Sequence, residues 1–300
     1  MGFFRRHSGK ASYNLLANYN HFMPEFVDLI WIVLLMLLGS AVGSILVGSF
    51  MGGGFTLDAM KYGTLISYPL TFIPVMLYAS AKSRRNEGFE DGYTLDNNNF
   101  GSHKGFTMAF VAIVLTIASA YIIEPLGMLL PEMPERLVQV MEMLLEGPVW
   151  ASFIMVSIFA PFFEEWLCRG IILRGMLNKV RPSWAIVISA LFFALIHANP
   201  WQAVPAFFMG LVFGFVYYKT GSLKLTMLMH FTNNTFALII SNIPSLKDIE
   251  YYSYILSPWA YGSLYAVAVI AVIFGFIILK NIPTKEESSL GGCLKIPKIF

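Results

Sequence analysis

The sequence predicts an all-α polytopic membrane protein: a bundle of about eight transmembrane helices with an intramembrane polar cavity. Three observations carry this. The 300 residues are 57% hydrophobic and 13% charged, with a mean hydropathy of +0.65, whereas soluble domains carry roughly 25% charged residues. Apolar stretches recur at lengths near the ~20 residues that a bilayer core requires. The charges that do fall inside an apolar stretch are gathered in one place, as is usual for groups that face a cavity rather than lipid.

Taken in order, the apolar stretches lie near 26–50, 62–81, 106–130, 150–173, 184–198, 203–218, 223–240 and 260–279. The first begins near Phe26 and is too long for the apolar part of a cleavable signal, so it reads as a signal-anchor helix. Several later stretches are short, as re-entrant helices around a polar cavity can be. This divides the chain into a cytoplasmic N-terminal segment (1–25), a transmembrane domain (26–281) and a cytoplasmic tail (282–300). The segment that could carry chemistry lies at about 150–245. The loop at 82–105, rich in Asn and Gly, is expected to be mobile. The stretch 131–148 is amphipathic and is expected to lie along the outer interface. Two cysteines, Cys168 and Cys293, make no disulfide framework. Gly39-x-x-x-Gly43 and Gly210-x-x-x-Gly214 read as close helix contacts, and Asn199-Pro200-Trp201 as a turn between two helices.

Lys and Arg alternate along the loops. The N-terminal segment, the second, fourth and sixth loops and the tail hold 16 of the 20, and the intervening loops hold only Lys61, Arg136 and Lys247. Under the positive-inside rule both termini are expected in the cytoplasm, with an even number of spans.

The remaining cation, Arg169, belongs to the run Pro161-Phe-Phe-Glu164-Glu165-Trp-Leu-Cys-Arg169-Gly170. On a helix Glu165 and Arg169 are four apart and share a face, so they can pair. Glu164 is turned about 100° away and has no such neighbour. The pair of carboxylates thus divides its roles, with Glu165 held by Arg169 and Glu164 left free to act on water as a general base. Of five histidines, only His197 and His230 fall in apolar stretches. His197 could bind a metal or polarise water. His230 and Asn234 are four apart and could donate to the oxyanion of a tetrahedral intermediate. At the helical rise, Glu164 lies about 14 Å from the cytoplasmic side, His197 about 20 Å, His230 about 10 Å and Asn234 about 16 Å. Three separate stretches therefore bring polar groups to overlapping depths. Each group also has a structural use: Glu165 and Arg169 as an ion pair between helices, either histidine or Asn234 as an interhelical hydrogen bond. Phe193 is assigned to packing.

Glu164-Glu165-x-x-x-Arg169, Phe193-x-x-x-His197 and His230-x-x-x-Asn234 together resemble the motif set of the CPBP family of intramembrane proteases, which contains the CAAX prenyl endopeptidase and the bacterial Abi proteins. The resemblance covers residues 160–240, with the motifs in the family's order. It implies an eight-helix core and an intramembrane endopeptidase. It also implies that Glu164 and His197 activate the hydrolytic water, that His230 and Asn234 stabilise the oxyanion and that Arg169 holds Glu165. The implied partners are membrane lipid and a membrane-associated protein or peptide substrate, with no nucleic acid. Glu164, His197 and His230 would supply three ligands to zinc or another divalent metal; the same residues also work without one. Two other functions use similar residues: a non-proteolytic scaffold for immunity or regulation, and a proton-coupled transporter. Transporters commonly show paired halves with broken helices, and no repeat is visible here.

Overall fold

The computed structural model describes residues 15–50, 57–88, 92–139, 148–246 and 251–284. Among these the chain is helical, with no strand. Its long helices are α1 (Phe26–Phe50), α2 (Leu57–Asn86), α3 (Gly105–Ile123), α4 (Val149–Leu177), α5 (Pro182–Leu195), α6 (Pro200–Thr220), α7 (Leu223–Ser241) and α8 (Pro258–Lys280). They follow the order of the apolar stretches. By length and composition, however, six of them can cross a membrane. The two that fall short are α5, with 14 residues, and α7, whose apolar run is diluted by His230, Thr232, Asn233, Asn234 and Thr235.

Burial grades from the rim to the centre. In α1, α2 and α8 only 17% of the most apolar window is buried, against 56% in α4. Leu37 and Ile45 of α1 and Val267 and Phe274 of α8 stand exposed, an apolar surface that water would penalise and lipid does not. α1 pairs with α2 and α5 with α6, while α3 packs on α7 and α8. The central α4 touches α2, α5, α6 and α7. Two apolar cores result. One gathers Phe22, Phe72, Trp166 and Phe193, the other Met108, Leu115, Phe213 and Met229.

Small residues permit the tight pairings. A Cβ on Gly39 would stand 2.5 Å from the carbonyl oxygen of Leu70, and one on Gly43 3.0 Å from Ser67 Cα. Pro74 lies inside α2 and, lacking an N–H, leaves the Leu70 carbonyl without its helical donor; Gly39 lets α1 approach that oxygen. On the other hairpin, a Cβ on Gly210 would meet Ala190 at 3.0 Å and one on Gly214 would meet Ile186 at 3.0 Å. Both glycine pairs are thus close helix contacts. Asn199 caps α6 by accepting from the Gln202 amide at 2.9 Å, with Pro200 at the first helical position.

The described part of the 82–105 loop is docked rather than free. Leu95 is buried, and its carbonyl accepts from the Tyr217 hydroxyl at 2.7 Å. Asp96 caps α7 by accepting from the Leu223 amide at 2.9 Å, where a carboxylate also complements the helix dipole. The amides of Asn97 and Asn99 donate to the Gly221 and Thr220 carbonyls. Arg174, counted by sequence among the loop charges, is buried within α4. Its guanidinium donates to the carbonyls of Tyr19, Asn20, Phe22 and Tyr93, tying the segment before α1 to the bundle. Of the 131–148 stretch, residues 140–147 lie outside the described residues, as do residues 1–14 and the tail beyond Thr284.

Candidate active site

The central helix is not uniform. Phe153–Phe159 and Trp166–Leu173 are wound as wider π-type turns, a form that recurs at functional sites. Between them, Ala160–Glu165 is ordinary α-helix and ends on the two carboxylates.

Glu165 and Arg169 are both fully buried and pair at 2.8 Å, as their spacing predicts. The pair is not isolated. Glu165 Oε1 also accepts from His230 Nδ1 at 3.0 Å, and Arg169 Nη2 donates to the Gly210 carbonyl at 3.2 Å. The guanidinium lies over two rings, 4.5 Å from the centroid of Phe193 and 5.3 Å from that of Phe213. Those rings belong to the two different cores, so Arg169 stands at the seam between them. Stacking on aromatic faces compensates part of the cost of desolvating the cation.

His197 lies just past the last residue of α5, not within a helix. There the Phe193 carbonyl has lost its helical donor, and His197 Nδ1 donates to it at 2.7 Å. The four-residue spacing of Phe193-x-x-x-His197 thus serves as a side-chain cap. Since a carbonyl only accepts, Nδ1 carries the proton and Nε2 is left as a bare acceptor. Ala198 follows with φ of 57°, a left-handed conformation that alanine rarely adopts and that turns the chain away from the helix axis. Phe193 packs as expected and also does more. Its ring meets His197 at 5.1 Å and His230 at 5.4 Å, both edge to face, so one phenyl orients both histidines.

Asn234 donates through Nδ2 to the Val156 carbonyl in the first wide turn of α4 at 2.8 Å, and its Oδ1 accepts from Asn233 at 3.1 Å. It therefore ties two helices together and retains one further N–H. The expectation that Glu164 lacks a partner is corrected. The Tyr68 hydroxyl of α2 donates to Glu164 Oε1, while Oε2, like Glu165 Oε2, is buried without a partner among the described residues. Tyr68 is 96 residues away in sequence, beyond what helical phase can show. The only cue was a phenol, with its one polar handle, set in an apolar stretch.

Direct contacts thus join Glu165, Arg169 and His230, and through Phe193 also His197. No hydrogen bond or ion pair joins Glu164 to His197. Among the described residues no three His, Cys, Asp or Glu side chains are gathered to hold a metal ion. Glu164, His197 and His230 are thus not drawn together as one ligand set, although the Nδ1 contacts of both histidines leave their Nε2 atoms unengaged. A separate cavity of about 460 Å³ opens beside Tyr93, Arg174, Tyr217 and Gly221, away from these residues.

Residues 146–236 match the family model of the Rce1-like type II CAAX prenyl endopeptidases. The chain is 31% identical over 99 residues to the membrane-embedded CAAX protease MroQ of Staphylococcus aureus (strain USA300), covering 31% of this chain and 39% of that protein. It is 30% identical over 97 residues to YdiL of Bacillus subtilis (strain 168), named as a membrane peptidase, covering 32% of this chain and 40% of that protein. The match thus spans about two fifths of the length of these relatives. No solved structure matches the chain significantly. All three motifs, from Glu164 to Asn234, lie inside the segment that matches the Rce1-like CAAX prenyl endopeptidase model.

Proposed function

We propose that this chain is a membrane-embedded endopeptidase that hydrolyses a peptide bond of a membrane-associated protein or peptide. The observation that carries the reading is the division of the two carboxylates. Each keeps a buried Oε2 without a partner among the described residues, but Glu165 is held by the Arg169 guanidinium and by His230, whereas Glu164 is held by a neutral phenol, Tyr68. A purely structural ion pair has no use for that second carboxylate.

In the proposed reaction Glu164 takes a proton from water, with the bare Nε2 of His197 accepting from the same molecule. The water oxygen adds to the scissile carbonyl carbon, and the carbonyl electron pair moves to its oxygen. The remaining N–H of Asn234 donates to that oxyanion. Donation from His230 through Nε2 requires a proton on both ring nitrogens, since Nδ1–H faces Glu165. Collapse of the intermediate breaks the carbon–nitrogen bond, and the leaving amine takes the proton held by Glu164. Metal is assigned no step, because its ligands are not gathered.

The test is proteomic comparison of wild type with Glu164→Ala in the native host, followed by cleavage assays of the peptides that differ. Glu164→Ala, His197→Ala and His230→Ala each abolish cleavage while the protein still inserts and folds. Full activity of purified Glu164→Ala overturns the reading. Stoichiometric metal in the active protein, with loss of activity on chelation, overturns the metal-free assignment alone.

A further inference from the structure

We infer that Tyr68 of α2, which lies outside the family-matching segment, is a positioning residue for Glu164. The inference rests on the proposed protease reading and deepens it.

Glu164 and Glu165 are consecutive, and two carboxylates so close compete for any donor between them. Arg169 and His230 both go to Glu165. Glu164 receives its donor from another helix, through the Tyr68 hydroxyl on Oε1. That bond holds the carboxylate away from the Arg169 cluster and presents the second oxygen, Oε2, for proton transfer. Tyr68 is itself fixed. Its ring lies 5.5 Å from Phe72, which stacks on Phe163 at 5.1 Å with planes 18° apart, and Phe163 immediately precedes Glu164 on α4. An aromatic ladder therefore couples the two helices at the level of the bond. The next residue, Pro69, lies inside α2 and removes one backbone hydrogen bond there, so the helix can bend at this point and carry the phenol toward α4.

A phenol that only filled space would be replaced by phenylalanine at no cost to turnover. A phenol that orients the base would not, because small displacements of a catalytic group cost about 100-fold. The test uses full-length protein in detergent and the peptide that wild type cleaves. Tyr68→Phe is expected to lower kcat about 100-fold with KM unchanged, and to leave the protein folded. Unchanged kcat in Tyr68→Phe overturns the inference while leaving the protease reading intact. Equal changes in kcat and KM, or a rise in KM alone, overturn it as well, since they assign Tyr68 to substrate binding. A second measurement is independent of turnover: thermal midpoints of wild type, Tyr68→Phe, Glu164→Ala and the double variant. The double variant is expected to lose less than the two single losses added together, because both remove one bond. Additive losses overturn the inference. A wild type that cleaves nothing overturns the protease reading and the catalytic half of this inference, and the thermal coupling still reports the bond.

Discussion

At the scale of the residue, the cluster around Arg169 turns expensive groups into a rigid fixture. Arg169 and Glu165 are both 0% exposed, and neither ion can be removed without leaving the other uncompensated. Losing one member of a buried pair typically costs about 3–5 kcal/mol. Arg169→Ala is therefore expected to lower the thermal midpoint by ~10 °C, more than any alanine substitution on the exposed face of α1; a midpoint within about 2 °C of wild type would contradict the role. The pairing of Glu165 with Arg169 was legible from their spacing. The third member, His230, was not, because it lies 65 residues away and only packing of α7 on α4 brings it in. Asn234 shows the reverse. Its expected structural use, a hydrogen bond to a neighbouring helix, is present, and the N–H left over keeps it available to substrate.

At the scale of the element, helix ends and helix contacts position the chemistry. α5 stops three residues before Ala198, and this places His197 on the exposed carbonyl of its own last turn rather than along the helix. A reading by hydropathy extends α5 through residue 198, since Ile196 and Ala198 are apolar; the terminus is set by the left-handed Ala198 and the Asn199 cap. The α1–α2 hairpin gives a sharper test of contact. Gly39→Ala would set a methyl 2.5 Å from a backbone oxygen, and overpacking of this kind costs about 1–3 kcal/mol. Gly48, on the same helix, has nothing within 4 Å of its Cβ position, and Gly48→Ala gains about 0.5–1 kcal/mol from helix propensity. Thermal denaturation in detergent should therefore move in opposite directions for the two variants.

At the scale of the molecule, lipid replaces water as the solvent for α1, α2 and α8, and α4 takes the place of a core helix. The positive-inside rule, applied to the loop charges, predicts both termini in the cytoplasm. A fluorescent reporter fused after the tail should glow, and a phosphatase inserted within 131–139 should be active, since it folds only when exported. Phosphatase activity at the tail would invert the topology. The bias behind this expectation survives the buried position of Arg174, because one residue among 16 does not change it. What composition could not show is that the loop between α2 and α3 is docked. Its Asn- and Gly-rich sequence signals turns, whereas its order comes from partners on α4, α6 and α7.

The sequence by itself determined the fold class, the order of the helices, the motif set and the short-range pairs. All of these rest on composition or on periods of three and four residues, which the helix enforces locally. Only the tertiary structure decided that Tyr68 serves Glu164, that His230 joins Glu165, and that Phe193 orients two histidines under a guanidinium. Those contacts join residues on different helices, and which faces meet is set by glycine approach and side-chain packing, for which a linear pattern carries no phase.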